Sequence, residues 1–126
     1  MNEQSYVKKE IDRYLSELGE VPPHWVFRPD SHPYSIGWRM GDGESFVEVF
    51  YTWFEEYLTT ENERINYFLK HDPPPRWLAS VIESIWDLEG WNDPDFDYYP
   101  YLEKLKHLGF KGTDQYEADL NDEKWL

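Results

Sequence analysis

The sequence predicts an all-α fold, a compact single-domain bundle of five or six helices with a proline-rich ordered loop. Apolar residues recur at spacings of three and four in five separate segments, which is the period of an amphipathic helix. Sustained alternation of apolar and polar residues, which indicates a strand, is limited to residues 36–40. The chain of 126 residues is long enough for one hydrophobic core and too short for two ordinary domains. We therefore assign residues 1–126 to a single acidic helical domain.

Aromatic rings must build most of the core, because they make up 19% of the residues while alanine occurs only twice. This composition argues against intrinsic disorder despite the high charge. The absence of cysteine excludes disulfides, thiolate catalysis and cysteine-based zinc sites. The N-terminal residues contain no apolar signal region, and no apolar run approaches the roughly 20 residues that span a bilayer. We expect an untargeted, soluble, cytoplasmic protein.

The first third of the chain is predicted to contain one long helix followed by an irregular segment. Residues 5–18 have the apolar spacing of a helix, with Ser5 as its N-cap and Gly19 as the glycine after its end. Residues 21–33 contain four prolines, which forbid a continuous helix and indicate an ordered loop. Residues 34–40 fit either a short helix or a short strand, and we prefer the helix.

The central helix, residues 43–58, is predicted to be the most buried element. Asp42 is its predicted N-cap, and Glu44 lies in the first turn, where a negative charge is favourable. Five aromatic residues recur at steps of three and four and therefore share one face of this helix: Phe46, Phe50, Trp53, Phe54 and Tyr57.

The remaining helices are predicted from their caps and their apolar spacing. Residues 60–63 have the form of a capping box and begin a short helix. Asp72 is the predicted cap of the next helix, which is entered through three prolines and runs to Gly90. A helix with a proline in its first turn ends at Gly109. Residues 113–120 add one more short helix.

The net charge of −14 is concentrated in two stretches. Residues 42–63 and residues 77–103 each contain seven acidic residues and no lysine or arginine, whereas the other acids are balanced by the 12 bases. Such a surface repels phosphates and releases no counterions on meeting them, so we expect neither direct nucleic-acid binding nor membrane binding. The natural complement is a basic protein.

Short motifs for catalysis and for metal binding are all incomplete. Residues 41–43 precede a helix as a phosphate-binding loop does, but Phe46 stands where the third glycine is needed. Residues 93–97 alternate aspartates as a calcium loop does, but Tyr98 and Lys104 stand where glycine and glutamate are needed. The four histidines are scattered, and pairs of glutamates on helical surfaces are common by chance. We therefore assign no catalytic, cofactor-binding or metal-binding residue.

The residues 24–39 form a further candidate region, because they combine tryptophan, tyrosine, arginine and histidine between prolines. A rigid loop of this kind often carries binding residues. Prolines and tryptophans in a long loop also pin it onto the core, and we favour this structural role.

The charge distribution predicts a small acidic protein-binding domain that occludes or neutralises a basic partner, such as an immunity or inhibitor protein for a cationic toxin or nuclease. One alternative is a DNA-mimic inhibitor of a nucleic-acid-binding protein. Another is a small carboxylate-based enzyme or ligand-binding protein, although enzymatic activity is not our prediction. The predicted partner-binding residues are acids off the apolar stripes and two aromatic anchors: Glu44, Glu48, Tyr51, Glu55, Glu83, Asp87, Glu89, Trp91, Asp93 and Asp95.

Overall fold

The computed structural model describes residues 3–125, without the side chains of Glu3, Gln4 and Trp91. Within this range the protein is helical and has no strand, which confirms the predicted all-α class. The α-helices are α1 (Glu3–Leu18), α2 (His24–Phe27), α3 (Gly41–Tyr57), α4 (Glu61–His71), α5 (Leu78–Trp86), α6 (Tyr99–Leu108) and α7 (Tyr116–Leu120). The 3₁₀ helices are Ile36–Arg39, Pro75–Trp77, Gly90–Asn92, Thr113–Gln115 and Glu123–Trp125.

The seven α-helices of the described residues exceed the predicted five or six, and the proline-rich segment is not simply a loop. It contains the single turn of α2, whose N-cap is Pro23. The N–H of Phe27 donates to the carbonyl of Pro23 at 3.2 Å. Prolines next to a helix start remove no intrahelical hydrogen bond, so they can precede one turn while preventing a longer helix. The following 3₁₀ helix, Ile36–Arg39, agrees with the preference for helix over strand in residues 34–40.

The chain forms two compact units, Met1–Thr59 and Thr60–Leu126, which we call unit 1 and unit 2. Unit 1 contains α1, α2 and α3, and unit 2 contains α4 to α7. The assignment of residues 1–126 to one domain stays a prediction.

The core of unit 1 is built on α3, but the prediction that this helix is the most buried element is wrong, because six of its 17 residues are buried against five of the nine in α5. Five of its side chains are at most 4% exposed: Phe46, Val49, Phe50, Trp53 and Phe54. The rings of Phe50 and Phe54 stack with centroids 5.5 Å apart, and Val7 and Ile11 of α1 are also buried. The prediction that Tyr57 shares this buried face is wrong, because its side chain is 48% exposed at the last residue of the helix.

Gly43 allows the 3₁₀ helix Ile36–Arg39 to lie directly against the start of α3. A Cβ atom on Gly43 would be 1.8 Å from the carbonyl oxygen of Gly37, so no other residue fits without a backbone shift. Nη1 of Arg28 donates to the same carbonyl at 3.4 Å. Gly41, in contrast, is required by its backbone conformation, with a φ of 59°. The two glycines therefore serve the packing and geometry at the start of this helix.

Three of the predicted helix caps are wrong. Met40 is the N-cap of α3, and Asp42 lies inside the first turn, where its charge interacts favourably with the helix dipole. Asp72 ends α4 as a C-cap with a φ of 45°, and the next helical turn begins after Pro74. Ser5 lies within α1. Several positions near a helix end suit a polar residue, and spacing alone does not select among them.

Two other predicted helix ends are confirmed. The N–H of Glu63 donates to Oγ1 of Thr60 at 3.1 Å, and the N–H of Thr60 donates to Oε1 of Glu63 at 3.1 Å, which completes the capping box of α4. Gly109 ends α6 with a φ of 104°, and the N–H of the buried Phe110 donates to the Leu105 carbonyl at 3.0 Å. This is the expected glycine end of a helix with its hydrophobic contact.

Unit 2 contains a buried ion pair in addition to its apolar core. The side chain of Arg76 is 9% exposed, and its Nη1 donates to Oδ2 of Asp119 at 3.3 Å. The backbone N–H of Arg76 donates to the same oxygen at 2.9 Å. The guanidinium carbon also lies 4.3 Å from the ring centroid of Trp125. Asp119 therefore joins α7 to the 3₁₀ helix Pro75–Trp77.

We expect Asp119→Ala to lower the free energy of unfolding by about 2 kcal/mol, because it leaves a largely buried guanidinium without its carboxylate. Asp114→Ala is the matched control, since Asp114 pairs with Lys106 at 3.7 Å and its side chain is 75% exposed. This exposed pair should contribute less than about 0.5 kcal/mol. Urea unfolding of both variants measures the difference, and equal stability losses would contradict the structural role of Asp119.

Candidate functional site

Four of the predicted partner-binding residues lie on one face of α3. They are separated by four, three and four positions, so they form a straight row along the helix, which we call the α3 stripe: Glu44, Glu48, Tyr51 and Glu55. The three glutamates are exposed. A rise of 1.5 Å per residue makes the row roughly 16 Å long. The structure therefore brings these residues together as the sequence predicts, on the side of α3 away from its buried rings.

Tyr51 is held in place by other aromatic rings. Its side chain is half-buried, and its ring centroid lies 5.0 Å from that of Phe50 and 5.7 Å from that of His24. It also contacts the ring of Phe54 at 6.4 Å. A ring fixed in this way loses little side-chain entropy when a partner covers its exposed part. Its role as an aromatic anchor stays a prediction.

The histidine in contact with Tyr51 of the α3 stripe is neutral at neutral pH. His24 is 7% exposed and lies among aromatic rings, with the centroid of Trp38 at 4.9 Å and that of Phe50 at 5.0 Å. Removal from water lowers the pKa of His24 to about 3, because burial penalises the charged imidazolium. The negative charge of the stripe is therefore not offset by this histidine.

The predicted surface of unit 2 is less continuous than that of unit 1. Glu83 is half-buried, and its Oε1 accepts a hydrogen bond from the hydroxyl of Tyr98 at 3.1 Å. The helix predicted to run to Gly90 ends as α5 at Trp86, and Asp87 is its C-cap with a φ of 55°. The exposed Glu89 lies beyond that end. The three acids therefore do not form one helical row.

The acidic segment after α5 forms a turn. The backbone N–H of Asp95 donates to Oδ1 of Asp93 at 2.9 Å, and both side chains are exposed. This is the local bond by which aspartate stabilises turns. The side chain of Trp91, the second predicted aromatic anchor, lies outside the part of the chain that the structure describes.

Residues of α1 and α3 form a groove beside the α3 stripe that shares Glu48 with it, and the sequence did not predict this. An open groove of about 490 Å³, the α1–α3 groove, lies between the two helices. Its lining residues come from both: Val7, Lys8, Ile11, Asp12, Glu48, Thr52, Glu56 and Tyr57. Helical periodicity identifies the outer face of each helix separately but does not say which two helices lie side by side. The sequence therefore could not predict that Asp12 and Glu56 line the same groove.

Among the described residues, no group of three or more histidine or acidic side chains could hold a metal ion. None of the helices between residues 3 and 125 has the length and apolar character needed to cross a membrane.

Comparison with known proteins gives no family for this chain. No protein-family model, no curated protein sequence and no solved structure matches it. The molecule is an all-α protein with an exposed acidic row on its most aromatic helix. Its function is therefore inferred from the charge and geometry of its own residues.

Proposed function

We propose that this chain is a small acidic protein-binding module that occludes or neutralises a basic protein, as an inhibitor or immunity protein does for a cationic toxin or nuclease. The observation that carries the proposal is the α3 stripe, in which exposed carboxylates flank a half-buried tyrosine on one rigid helix. Carboxylates attract and orient a basic partner, whereas a buried aromatic contact slows its dissociation.

Electrostatics favour a cationic protein as the partner. The chain has a net charge of −14, and the stretch 42–63 contains no lysine or arginine. Uninterrupted like charge destabilises the free protein, so a basic partner relieves repulsion as it binds. Association with such a partner is accelerated by the field around the acidic surface. Nucleic acids and anionic membranes are repelled by the same surface, so neither the relief of repulsion nor the faster association applies to them.

The spacing of the acids favours a toxin inhibitor over a DNA mimic. Duplex DNA carries one charge per about 1.7 Å of its axis. The α3 stripe carries three carboxylates over roughly 16 Å, with a tyrosine between them. This surface is several times less charged than a duplex and includes an aromatic contact. A short row with so few charges and a tyrosine among them suits a protein surface better than a nucleic-acid groove.

A carboxylate-based enzyme receives less support. Such an enzyme needs acidic groups within a concave site where water is excluded. In the stretches 42–63 and 77–103, every acidic side chain is exposed except the half-buried Glu83. Glu83 accepts a hydrogen bond from the hydroxyl of Tyr98, which is a structural contact between α5 and the segment before α6.

In unit 2, four exposed or turn-forming acids belong to the same proposal as a second acidic surface: Asp87, Glu89, Asp93 and Asp95. They do not share a helix face, so they add charge for attraction more than a shaped contact. Glu83 adds its negative charge near this segment, and its hydrogen bond with the Tyr98 hydroxyl holds its side chain in place. We therefore place the main contact on the α3 stripe.

Reversing the charges of the α3 stripe tests the proposal. We expect Glu44→Lys, Glu48→Lys and Glu55→Lys together to leave the helical content unchanged, because all three side chains are exposed. The triple variant should associate with a basic partner about tenfold more slowly at low salt, with a smaller difference at high salt. The partner is obtained by affinity capture from the native host, and stopped-flow kinetics at two salt concentrations give the rates.

A matched control separates the stripe from net charge alone. Glu17→Lys, Asp30→Lys and Glu123→Lys change the same number of exposed acids elsewhere in the chain. Each triple variant reverses three charges and so shifts the net charge from −14 to −8. We expect the control to slow association much less. Equal effects of the two variants would refute the stripe as the contact surface.

A further inference from the structure

The α1–α3 groove combines negative charge with an apolar floor. Val7 and Ile11 line it and are each 5% exposed, so they form its base. Tyr57 also lines it and is 48% exposed, which makes a ring available at the surface. Asp12 of α1 and Glu56 of α3 are exposed lining residues. The volume of the groove is about 490 Å³.

The charges of the groove are not neutralised within the protein. Three carboxylates line it, those of Asp12, Glu48 and Glu56, against the single ammonium of Lys8. In the described part of the chain, none of these four groups makes an ion pair or a side-chain hydrogen bond. The groove therefore has an excess of negative charge that is open to an external cation.

This combination matches the chemistry of long basic side chains. Arginine and lysine place an aliphatic stem on apolar surface while the charged end reaches polar groups. A guanidinium also stacks on an aromatic ring and bonds a carboxylate in the same orientation. A small inorganic cation would gain nothing from contact with the apolar floor. An apolar helix would gain nothing from the carboxylates.

We propose that the α1–α3 groove is the docking site for an arginine- or lysine-rich segment of a protein partner. The stems of its basic side chains lie on the floor and on Tyr57, and their charged ends reach Asp12, Glu48 and Glu56. The inference rests on the proposed function and deepens it, because it adds α1 to the contact and specifies the kind of segment that is bound.

The test is an NMR titration of the full chain with a synthetic peptide that alternates arginine and serine. We expect chemical-shift changes at the methyl groups of Val7 and Ile11 and at Thr52. Asp12→Asn and Glu56→Gln should each weaken binding about threefold, as expected for partly exposed ion pairs. Lys8→Gln should strengthen binding by about the same factor, because it removes a competing cation. Circular dichroism checks that each variant keeps its helical content.

Two matched peptides separate the contributions of charge and stem. Replacement of arginine by citrulline keeps the shape and removes the charge, and we expect binding to be lost. Replacement by 2,4-diaminobutyric acid, measured at pH 6.5 where its side-chain amine is protonated, keeps the charge and shortens the stem, and we expect clearly weaker binding. If the short-stemmed peptide binds as tightly as the arginine peptide, attraction is through charge alone and the groove is not a docking site.

The outcomes also distinguish the groove from the proposed function. If Glu44→Gln and Glu55→Gln weaken binding of the arginine peptide while Asp12→Asn and Glu56→Gln do not, the contact is the α3 stripe and the groove inference is overturned. If the arginine peptide produces no shift anywhere at low salt, the groove inference is overturned, whereas the proposed function is decided by the association rates of the charge-reversed α3 stripe with its protein partner.

Discussion

We expect Phe50→Ala to lower the free energy of unfolding by about 3–5 kcal/mol, the usual range for removing a large buried ring. The side chain is 1% exposed and lies among the rings of five neighbours: His24, Phe46, Tyr51, Trp53 and Phe54. Alanine cannot fill the space, and the surrounding rings cannot close it without losing their own contacts. Urea unfolding followed by tryptophan fluorescence gives the loss.

Thr52→Ala is the control for this substitution, because Thr52 is exposed on the same helix. It should change stability by less than about 0.5 kcal/mol. Phe50→Leu should fall between the two, since leucine restores part of the lost volume. Wild-type stability of Phe50→Ala would mean that α3 is not the centre of the core.

We expect acid to destabilise unit 1 through His24. Burial lowers the pKa of His24 from 6.5 to about 3 in the folded state, so below pH 6.5 the unfolded chain binds a proton that the folded chain does not. The stabilising effect of neutral His24 is complete above that pH and is lost as the pH falls toward 3. The slope is about 1.4 kcal/mol per pH unit, which amounts to roughly 2.7 kcal/mol at about pH 4.5.

The measurement is urea unfolding of the wild type and of His24→Phe at several pH values. The carboxylates of this chain, which has a net charge of −14, are the same in both proteins. The quantity of interest is therefore the difference between the two proteins, which cancels the carboxylate contribution. His107→Gln, at an exposed position of α6, is the control. An identical pH dependence for wild type and His24→Phe would show that His24 is not held neutral.

The parts of the fold that the sequence predicts are those determined within one helix. The five rings of the predicted stripe recur at a helical period that no other element could place on one face, and four of these five are buried, so the helix and its buried face are predictable. The turn of α2 is not, because four prolines in residues 21–33 exclude a continuous helix and give no signal for where a single turn forms. The contact between Gly37 and Gly43 is tertiary, and a glycine before a helix has several possible causes.

The same limit applies to the candidate site. The α3 stripe is predictable because one period places its residues in a row. The hydrogen bond from Tyr98 to Glu83 joins residues 15 positions apart in different elements, so an acid predicted to be on an outer face is half-buried instead. The α1–α3 groove needs the pairing of two helices, which depends on how side chains fit together and not on the pattern of either helix alone.

One helix, α3, carries two sets of residues, which are interleaved along its sequence. One set fills the interior of unit 1, and the other is proposed to contact a partner. We therefore expect a genetic screen for loss of partner binding to recover two classes of substitution in α3. One class changes the contact surface, and the other lowers stability and so reduces the amount of folded protein. A partner that binds only the folded state stabilises it by mass action, so a saturating partner raises the midpoint of thermal unfolding of destabilised variants. Core substitutions in α3 should thus be suppressed by overexpression of the partner, whereas charge reversals on the exposed row should not.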